Sequence, residues 1–332
     1  MPAIAARLHR IDERITRDGV ALFHRLDLDL PDERAALLEG LFATPARIAP
    51  KYFYDALGSA LFEAICALPE YYPTRTERAI LLQHRDEIAR IAGRRKQFVD
   101  LGAGDCAKAA LLLPALTPRR HVAVDISATA MVPGLSRLAR EFAQTSFAGV
   151  VTDFSRGLDI DGAIDDGATI FFYPGSSIGN FAPEEALAFL REVRTRCGPG
   201  SGLLIGVDTK KRVARLESAY DDALGVTAAF NRNILRHVNA VAACDFDPAA
   251  FDHVAFYNVS LARIEMHLRS RSTQYVQVGD ALREFAAGES IHTESSYKYS
   301  TAEFTALLRD AGFDEVTCWQ DAHRDFAVYY AD

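Results

Sequence analysis

The sequence predicts an α/β protein built on an open, Rossmann-like parallel sheet, and three observations carry that prediction. Short apolar runs alternate with helical patterns from Phe98 to Asp208, which is how a doubly wound sheet reads in sequence. The first run ends at Asp100 and passes into a tight Gly102-Ala103-Gly104 turn, while the second, Val122–Val124, ends in Asp125. The alternation stops near residue 210 and returns only at residue 301, so an insertion splits the sheet between its fifth and sixth strands.

Taken in order, residues 1–30 read as a polar amphipathic lead. Helical patterns follow at Asp32–Leu41, Ser59–Ala67 and Thr74–Ile91. The last two are separated by Leu68-Pro69-Glu70-Tyr71-Tyr72-Pro73, whose prolines force an extended path. Strands are expected at 98–101, 121–125, 147–152, 168–173 and 202–208, with helices at 106–114, 128–144 and 183–196 between them. Residues 210–240 read as one long helical stretch. Ala255–Val259 and Ala262–Leu268 look like strands, and Gly288–Tyr299 reads as a polar loop. A helix at 301–311 is followed by Glu315–Trp319 and Phe326–Tyr330, close enough to pair antiparallel.

Composition narrows the function classes. The chain has 332 residues, 49% hydrophobic and 25% charged, which is ordinary for a globular protein with ample core. A net charge of −8 argues against nucleic acid, whose phosphates demand a basic face. No apolar stretch reaches about 18 residues, and the charged N-terminus lacks the apolar run of a signal peptide. Cys66, Cys106, Cys197, Cys244 and Cys318 have no metal-ligand spacing, so no metal is expected and a reducing cytoplasm is the expected home.

The glycine turn lets the backbone approach a ligand without a Cβ in the way, and an acid after the second strand suits a ribose diol. Gly102-x-Gly104-x-x-Ala107 with Asp125 fits a dinucleotide in part. S-adenosyl-L-methionine fits better, because Asp153-Phe154 after the third strand offers a carboxylate for adenine and an aromatic to pack on it. No Gly-Lys-Ser/Thr follows the turn, which removes a P-loop.

Phe172-Tyr173-Pro174-Gly175-Ser176-Ser177-Ile178-Gly179-Asn180-Phe181 follows the fourth strand, at the carboxyl edge where such sheets bind ligands. The amide of Asn180 suits the carboxylate or amine of an amino acid. Alternation puts Glu265 and His267 on one face of their strand and Met266 on the other.

Lys51-Tyr52-Phe53-Tyr54-Asp55, Tyr71-Tyr72-Pro73-Thr74-Arg75-Thr76-Glu77, the glycine turn, Phe172-Tyr173-Pro174-Gly175-Ser176, Gly179-Asn180-Phe181, Tyr220-Asp221-Asp222, Phe230-Asn231-Arg232-Asn233, Glu265-Met266 and Thr293-Glu294 occur in that order. Together they resemble the L-histidine Nα-methyltransferases of ergothioneine biosynthesis, over nearly the whole chain from about residue 32. The resemblance implies a class I methyltransferase domain, 76–209 and 299–332. It implies a substrate-binding domain, 20–75 and 210–298, made of the N-terminal helices and the insertion.

It also implies three methyl transfers from S-adenosyl-L-methionine to L-histidine, giving hercynine and S-adenosyl-L-homocysteine, by a monomer. Gly102, Gly104, Lys108, Asp125, Asp153 and Phe154 would bind the cofactor. Asn180 and Tyr220 would hold the carboxylate and amine end of histidine, with the Gly175 backbone nearby. Tyr71, Glu294 and Ser296 would hold the imidazole, Met266 would line its pocket, and Tyr54 would belong to an aromatic wall near the amine. One departure is visible: Asp105-Cys106 stands where the family has small hydroxyl residues.

Overall fold

The computed structural model describes residues 12–15, 19–24, 30–154 and 157–332. Its largest sheet has nine strands in the order Asp12–Ile15, Ala21–His24, Ser146–Val151, Arg120–Asp125, Gln97–Leu101, Thr169–Tyr173, Gly202–Asp208, Phe326–Ala331, Val316–Gln320. The six strands from Ala21–His24 to Gly202–Asp208 run parallel. Phe326–Ala331 then runs antiparallel to both of its neighbours, which closes the sheet with the expected antiparallel pair.

The central strands are buried along their whole length, because helices cover both faces and apolar clusters fill each side. The chain order reverses beside Gln97–Leu101, which pairs with Arg120–Asp125 on one side and Thr169–Tyr173 on the other. A crevice at the carboxyl ends of these strands is the position the topology dictates for a ligand.

A four-stranded sheet, Ala46–Arg47, Ser290–Tyr297, Arg263–Ser270, Phe251–Asn258, and a hairpin of Gln274–Val278 with Ala281–Phe285 lie outside this layer. Their apolar cluster joins residues 37–72 to residues 216–291, with Phe53, Tyr71, Phe230 and Met266 among its members. Helix Val226–Ala242 buries Phe230, Ile234, Leu235 and Val238 against it. Among the described residues no helix is long and apolar enough to cross a membrane.

Several boundaries differ from expectation. The lead contains the strand pair Asp12–Ile15 and Ala21–His24, and the second strand bonds to Ser146–Val151 of the large sheet. A four-residue strand whose partner lies over a hundred residues away has no local signal to read. The 74–91 pattern is two helices, Tyr72–Gln83 and Arg85–Ala92, broken at His84 (φ −104°, ψ 9°).

The 106–114 pattern is likewise two short helices, Ala107–Ala110 and Leu113–Leu116, with Pro114, which lacks an amide to donate, in the first turn of the second. The 210–240 stretch breaks into Val213–Ser218 and Val226–Ala242, with Gly225 in the left-handed region at φ 74°. Asp222 caps the second helix by accepting from the amides of Val226 (3.0 Å) and Thr227 (2.7 Å).

The largest correction is Gly288–Tyr299. It is no loop but contains the strand Ser290–Tyr297, paired with Arg263–Ser270. Polar residues on both faces erased the alternation that marks a half-buried strand. Met266 pairs with Glu294 and His267 with His292, so Thr293 is the extra residue of a β-bulge. Its hydroxyl lies 2.7 Å from Asn231 Oδ1 and 3.0 Å from the Met266 carbonyl, which pins the bulge to helix Val226–Ala242.

Glu77, fully buried on helix Tyr72–Gln83, accepts from the Gly175 amide (2.8 and 3.1 Å) and pairs with Lys108 at 2.7 Å. A Cβ at Gly206 would fall 1.9 Å from Glu77 Oε1. Gly206→Ala should therefore cost about 2–4 kcal/mol through overpacking and a displaced buried charge. A lowered urea midpoint at unchanged slope is the expected readout, and wild-type stability would refute the strut.

Candidate active site

The cofactor side forms around the turn after Gln97–Leu101. Gly102 (φ 71°) and Gly104 (φ 52°) take conformations that side chains disfavour. A Cβ at Gly102 would stand 3.9 Å from the ring of Phe154, so that aromatic lies against the turn. Asp125 Oδ2 accepts from the Gly104 amide and Oδ1 from the Ser127 amide, both at 2.8 Å. Burial pushes its pKa up and these backbone donors pull it back, so the carboxylate is held in place with lone pairs to spare.

Asp153 bonds to Lys51 Nζ at 3.3 Å. Asp105, the departure from the family pattern, accepts from the Ala107 amide at 3.0 Å and so starts the short helix that carries Lys108.

Asp100, which ends the apolar run before the turn, was given no role from sequence. Both of its carboxylate oxygens are buried without a hydrogen-bond partner. Burial, then the charge of Asp125, pushes its pKa up to about 8. A cationic group laid along the turn would supply the missing partner. This orphan, the two glycines, Asp125 and Phe154 fit an amino-acid–nucleoside cofactor such as S-adenosyl-L-methionine.

On the other side of the crevice, loop Pro174–Phe181 contains a short helical turn at Ser177–Asn180. Gly179 packs against the second sheet, where a Cβ would lie 2.7 Å from the Tyr297 carbonyl and 3.5 Å from Ser296 Oγ. Asn180 follows directly, and its side-chain amide bonds to no described residue.

Glu294 and Ser296 share one face of strand Ser290–Tyr297, roughly 7 Å apart along it. Met266, paired with Glu294, points to that same face. Glu294 has neither hydrogen bond nor ion pair among the described residues. Burial drives its pKa up to about 7 against the pull of Lys298.

Tyr71 meets Tyr220 edge-on with ring centroids 6.2 Å apart, and Phe62 at the same distance on its other side. Tyr54 lies 5.9 Å from Phe62 and 6.1 Å from Phe230. Burial raises the Tyr54 phenol, and the charges of Glu294 and Asp125 raise it further, so this tyrosine feels both sides of the crevice. It stays protonated at neutral pH.

Behind the crevice runs a buried network that sequence reading missed. Lys298 Nζ lies 2.8 Å from Asp208 Oδ2, 3.0 Å from Tyr220 Oη and 2.8 Å from Ser296 Oγ. Lys211 and the Tyr72 hydroxyl complete the shell of Asp208 at 2.5 and 2.8 Å. Burial opposes the Asp208 charge, but Lys298 and Lys211 outweigh it and keep its pKa below the ordinary value. A lysine between two tyrosines carries no sequence signal of the aspartate ninety residues upstream.

Two clusters, Asp100–Cys106–His121 and Glu265–His267–His292, bring metal-ligand atoms within 4.8 Å of one another. In the second, Glu265 is already taken by Arg263, Asn258 and His267 at 2.8–3.0 Å.

An open sheet of this strand order, closed by an antiparallel strand and carrying a glycine cradle between two acids, defines a class I S-adenosyl-L-methionine-dependent methyltransferase. A family model described as histidine-specific methyltransferase, SAM-dependent, matches residues 33–332. The chain belongs to that family. It is 41% identical over 299 residues to a histidine N-alpha-methyltransferase of Mycolicibacterium smegmatis, covering 88% of this chain and 92% of that protein. The namesake of Mycobacterium tuberculosis is 40% identical over 305 residues, covering 90% and 94%. Ergothioneine biosynthesis protein 1 of Schizosaccharomyces pombe is 28% identical over 289 residues, covering 83% of this chain and 37% of that protein.

Asp125→Ala should weaken S-adenosyl-L-homocysteine binding about tenfold or more, since hydrogen bonds to a charged group contribute about 1.5–3 kcal/mol. Calorimetry checks this. Unchanged affinity with lowered stability would make Asp125 a structural cap of the turn.

Proposed function

We propose that the enzyme transfers three methyl groups from S-adenosyl-L-methionine to the α-amine of L-histidine, giving hercynine for ergothioneine biosynthesis. The observation that supports this most is the free Glu294 carboxylate beside Ser296 on one strand face. An acceptor and a hydroxyl roughly 7 Å apart suit the two nitrogens of an imidazole lying between them. Met266 and Tyr71 supply the apolar walls of that slot. Asn180 and Tyr220 take the carboxylate and amine end, with Gly175 close by, and this places the amine toward the cofactor edge.

The cofactor, when bound, supplies an electrophilic methyl on a sulfonium. The chain's part is to position a neutral amine for in-line attack and to keep water out. Gly102, Gly104, Lys108, Asp125, Asp153 and Phe154 are assigned to hold the cofactor, and Asp100 joins them. Tyr54, protonated and set between the two sides, orients the amine by hydrogen bonding. As methyl groups accumulate, the amine loses donors and gains apolar bulk. Tyr54, Phe62, Tyr71 and Phe230 form an aromatic wall that attracts a quaternary ammonium by about 0.5–2 kcal/mol. Residues 76–209 with 299–332 are assigned to the cofactor domain, and 210–298 with the helices before residue 76 to the substrate domain. The strand at Ala21–His24 goes with the former by its pairing.

Histidine incubated with enzyme and excess S-adenosyl-L-methionine should accumulate the trimethylated betaine by mass spectrometry, with methylation confined to the α-amine. A monomethylated end product, or methylation of the ring, would overturn the reading.

An unpaired carboxylate kept for a ligand should also show in stability. The folded-state pKa of Glu294, about 7, lies above the unfolded value of 4.5, so the folded state holds the extra proton between them. Folding stability from this group is therefore complete below pH 4.5 and lost as pH rises through 7. Glu294→Gln should melt a few degrees above wild type at pH 8, with the gap closing toward pH 5, while histidine turnover falls. A gap independent of pH would mean that Glu294 is solvated.

A further inference from the structure

We infer that Lys298 is a positioning residue that fixes the Ser296 hydroxyl as a donor into the crevice, so that the slot takes the neutral imidazole ring. The inference rests on the proposed histidine reading and adds to it the protonation state in which the ring is bound.

The argument is a count of protons and lone pairs. An ammonium has three N–H donors and no acceptor. Those of Lys298 go to Asp208 Oδ2, Tyr220 Oη and Ser296 Oγ, at 2.8, 3.0 and 2.8 Å, and the side chain is fully buried. Of the two hydroxyls, 2.9 Å apart, the phenol is the stronger acid and so the donor, which sends the Tyr220 proton to Ser296 Oγ. Ser296 Oγ thus accepts from two donors, which fills its two lone pairs. With Tyr220 as donor in that contact, the single proton of Ser296 has no acceptor among the described residues.

Ser296 is 3% exposed, and a buried donor left unmade carries the full desolvation penalty of its hydroxyl. Its proton has one useful direction, outward along the strand face that it shares with Glu294. A ring nitrogen meeting Ser296 must therefore present a lone pair. The other ring nitrogen, facing the Glu294 carboxylate, must present an N–H.

One donor beside one acceptor describes neutral imidazole. An imidazolium, with two N–H groups, would confront the Ser296 proton, and a ring without a basic nitrogen would leave it buried and unmade. Asp208 keeps this device in register. It holds Lys298 by charge through Oδ2, while Lys211 and Tyr72 bond to Oδ1 and fix the carboxylate in place.

The direct test uses the unmodified enzyme. L-Histidine labelled with 15N in both ring positions is bound to the complex with S-adenosyl-L-homocysteine, and the ring nitrogens are read by NMR. One protonated and one bare, hydrogen-bonded nitrogen is the expected pattern. Two protonated nitrogens would overturn the inference and leave the proposed substrate standing. No histidine binding at all would sink the substrate reading, and this inference with it.

A mutant cycle then isolates Lys298. Lys298→Met should raise the KM for histidine about tenfold or more, with a smaller change in kcat and unchanged S-adenosyl-L-homocysteine affinity. In a Ser296→Ala background the same change should cost far less, because the hydroxyl it orients is gone. Equal effects in both backgrounds, or an unchanged KM, would assign Lys298 to structure alone. Should Lys298→Met fail to fold, the NMR pattern in the unmodified enzyme still decides.

Discussion

The buried charge of Asp208 is the constraint on which the rest of the molecule depends. It ends the strand Gly202–Asp208, the last parallel strand of the large sheet, and sits at the carboxyl edge. A carboxylate there without partners would cost several kcal/mol, so the chain must bring cations and donors to it. The partners arrive from Tyr72, Lys211 and Lys298, three places far apart in sequence. Each belongs to a segment that also carries a wall of the crevice. Satisfying one charge therefore seats the second sheet, the entry of helix Tyr72–Gln83 and the Tyr220–Ser296 pair in one step.

Glu77 repeats the device on the cofactor side. It joins the substrate loop at Gly175 to the short helix bearing Lys108, and Gly206 makes room for it beneath the sheet edge. Two buried acids, one on a helix and one on a strand, thus set the spacing between the cofactor and substrate halves. Ser176 links them locally, since its hydroxyl accepts from the Asp208 amide at 2.9 Å while the neighbouring residue's amide bonds Glu77. Neither acid is free to act on a substrate. Their contribution is geometric, and in methyl transfer geometry supplies most of what an enzyme adds.

What could be read from sequence follows from how local each signal is. The parallel strands were legible because burial on both faces makes them continuous apolar runs, and the glycine turn because only glycine takes φ values such as 71° easily. The closing strand pair was legible from its short separation. Helix breaks at His84, near Pro114 and at Gly225 were not, since the apolar period continues across them. Strand Ser290–Tyr297 was missed because a strand that faces a polar crevice looks like a loop. Glu294 was given its role by motif resemblance, whereas Lys298, Asp208, Glu77 and Asp100 were given none. Their importance lies in partners or in a missing partner, and neither is written beside them in the chain.

The discontinuous third cluster has a consequence for how the protein is made. Residues 37–72 leave the ribosome well before their cover, residues 216–291, although Tyr52, Phe53, Tyr71 and Tyr72 are all destined for burial. The Tyr72 hydroxyl waits for Asp208, 136 residues later, which at ordinary synthesis speeds is on the order of ten seconds. The strand pair Val316–Gln320 and Phe326–Ala331 then adds to the free edge of Gly202–Asp208. An aromatic-rich segment is thus exposed until residues 216–291 have been made. Contacts of such long sequence separation also make for slow folding, so the nascent segment needs shielding until that cover has packed onto it.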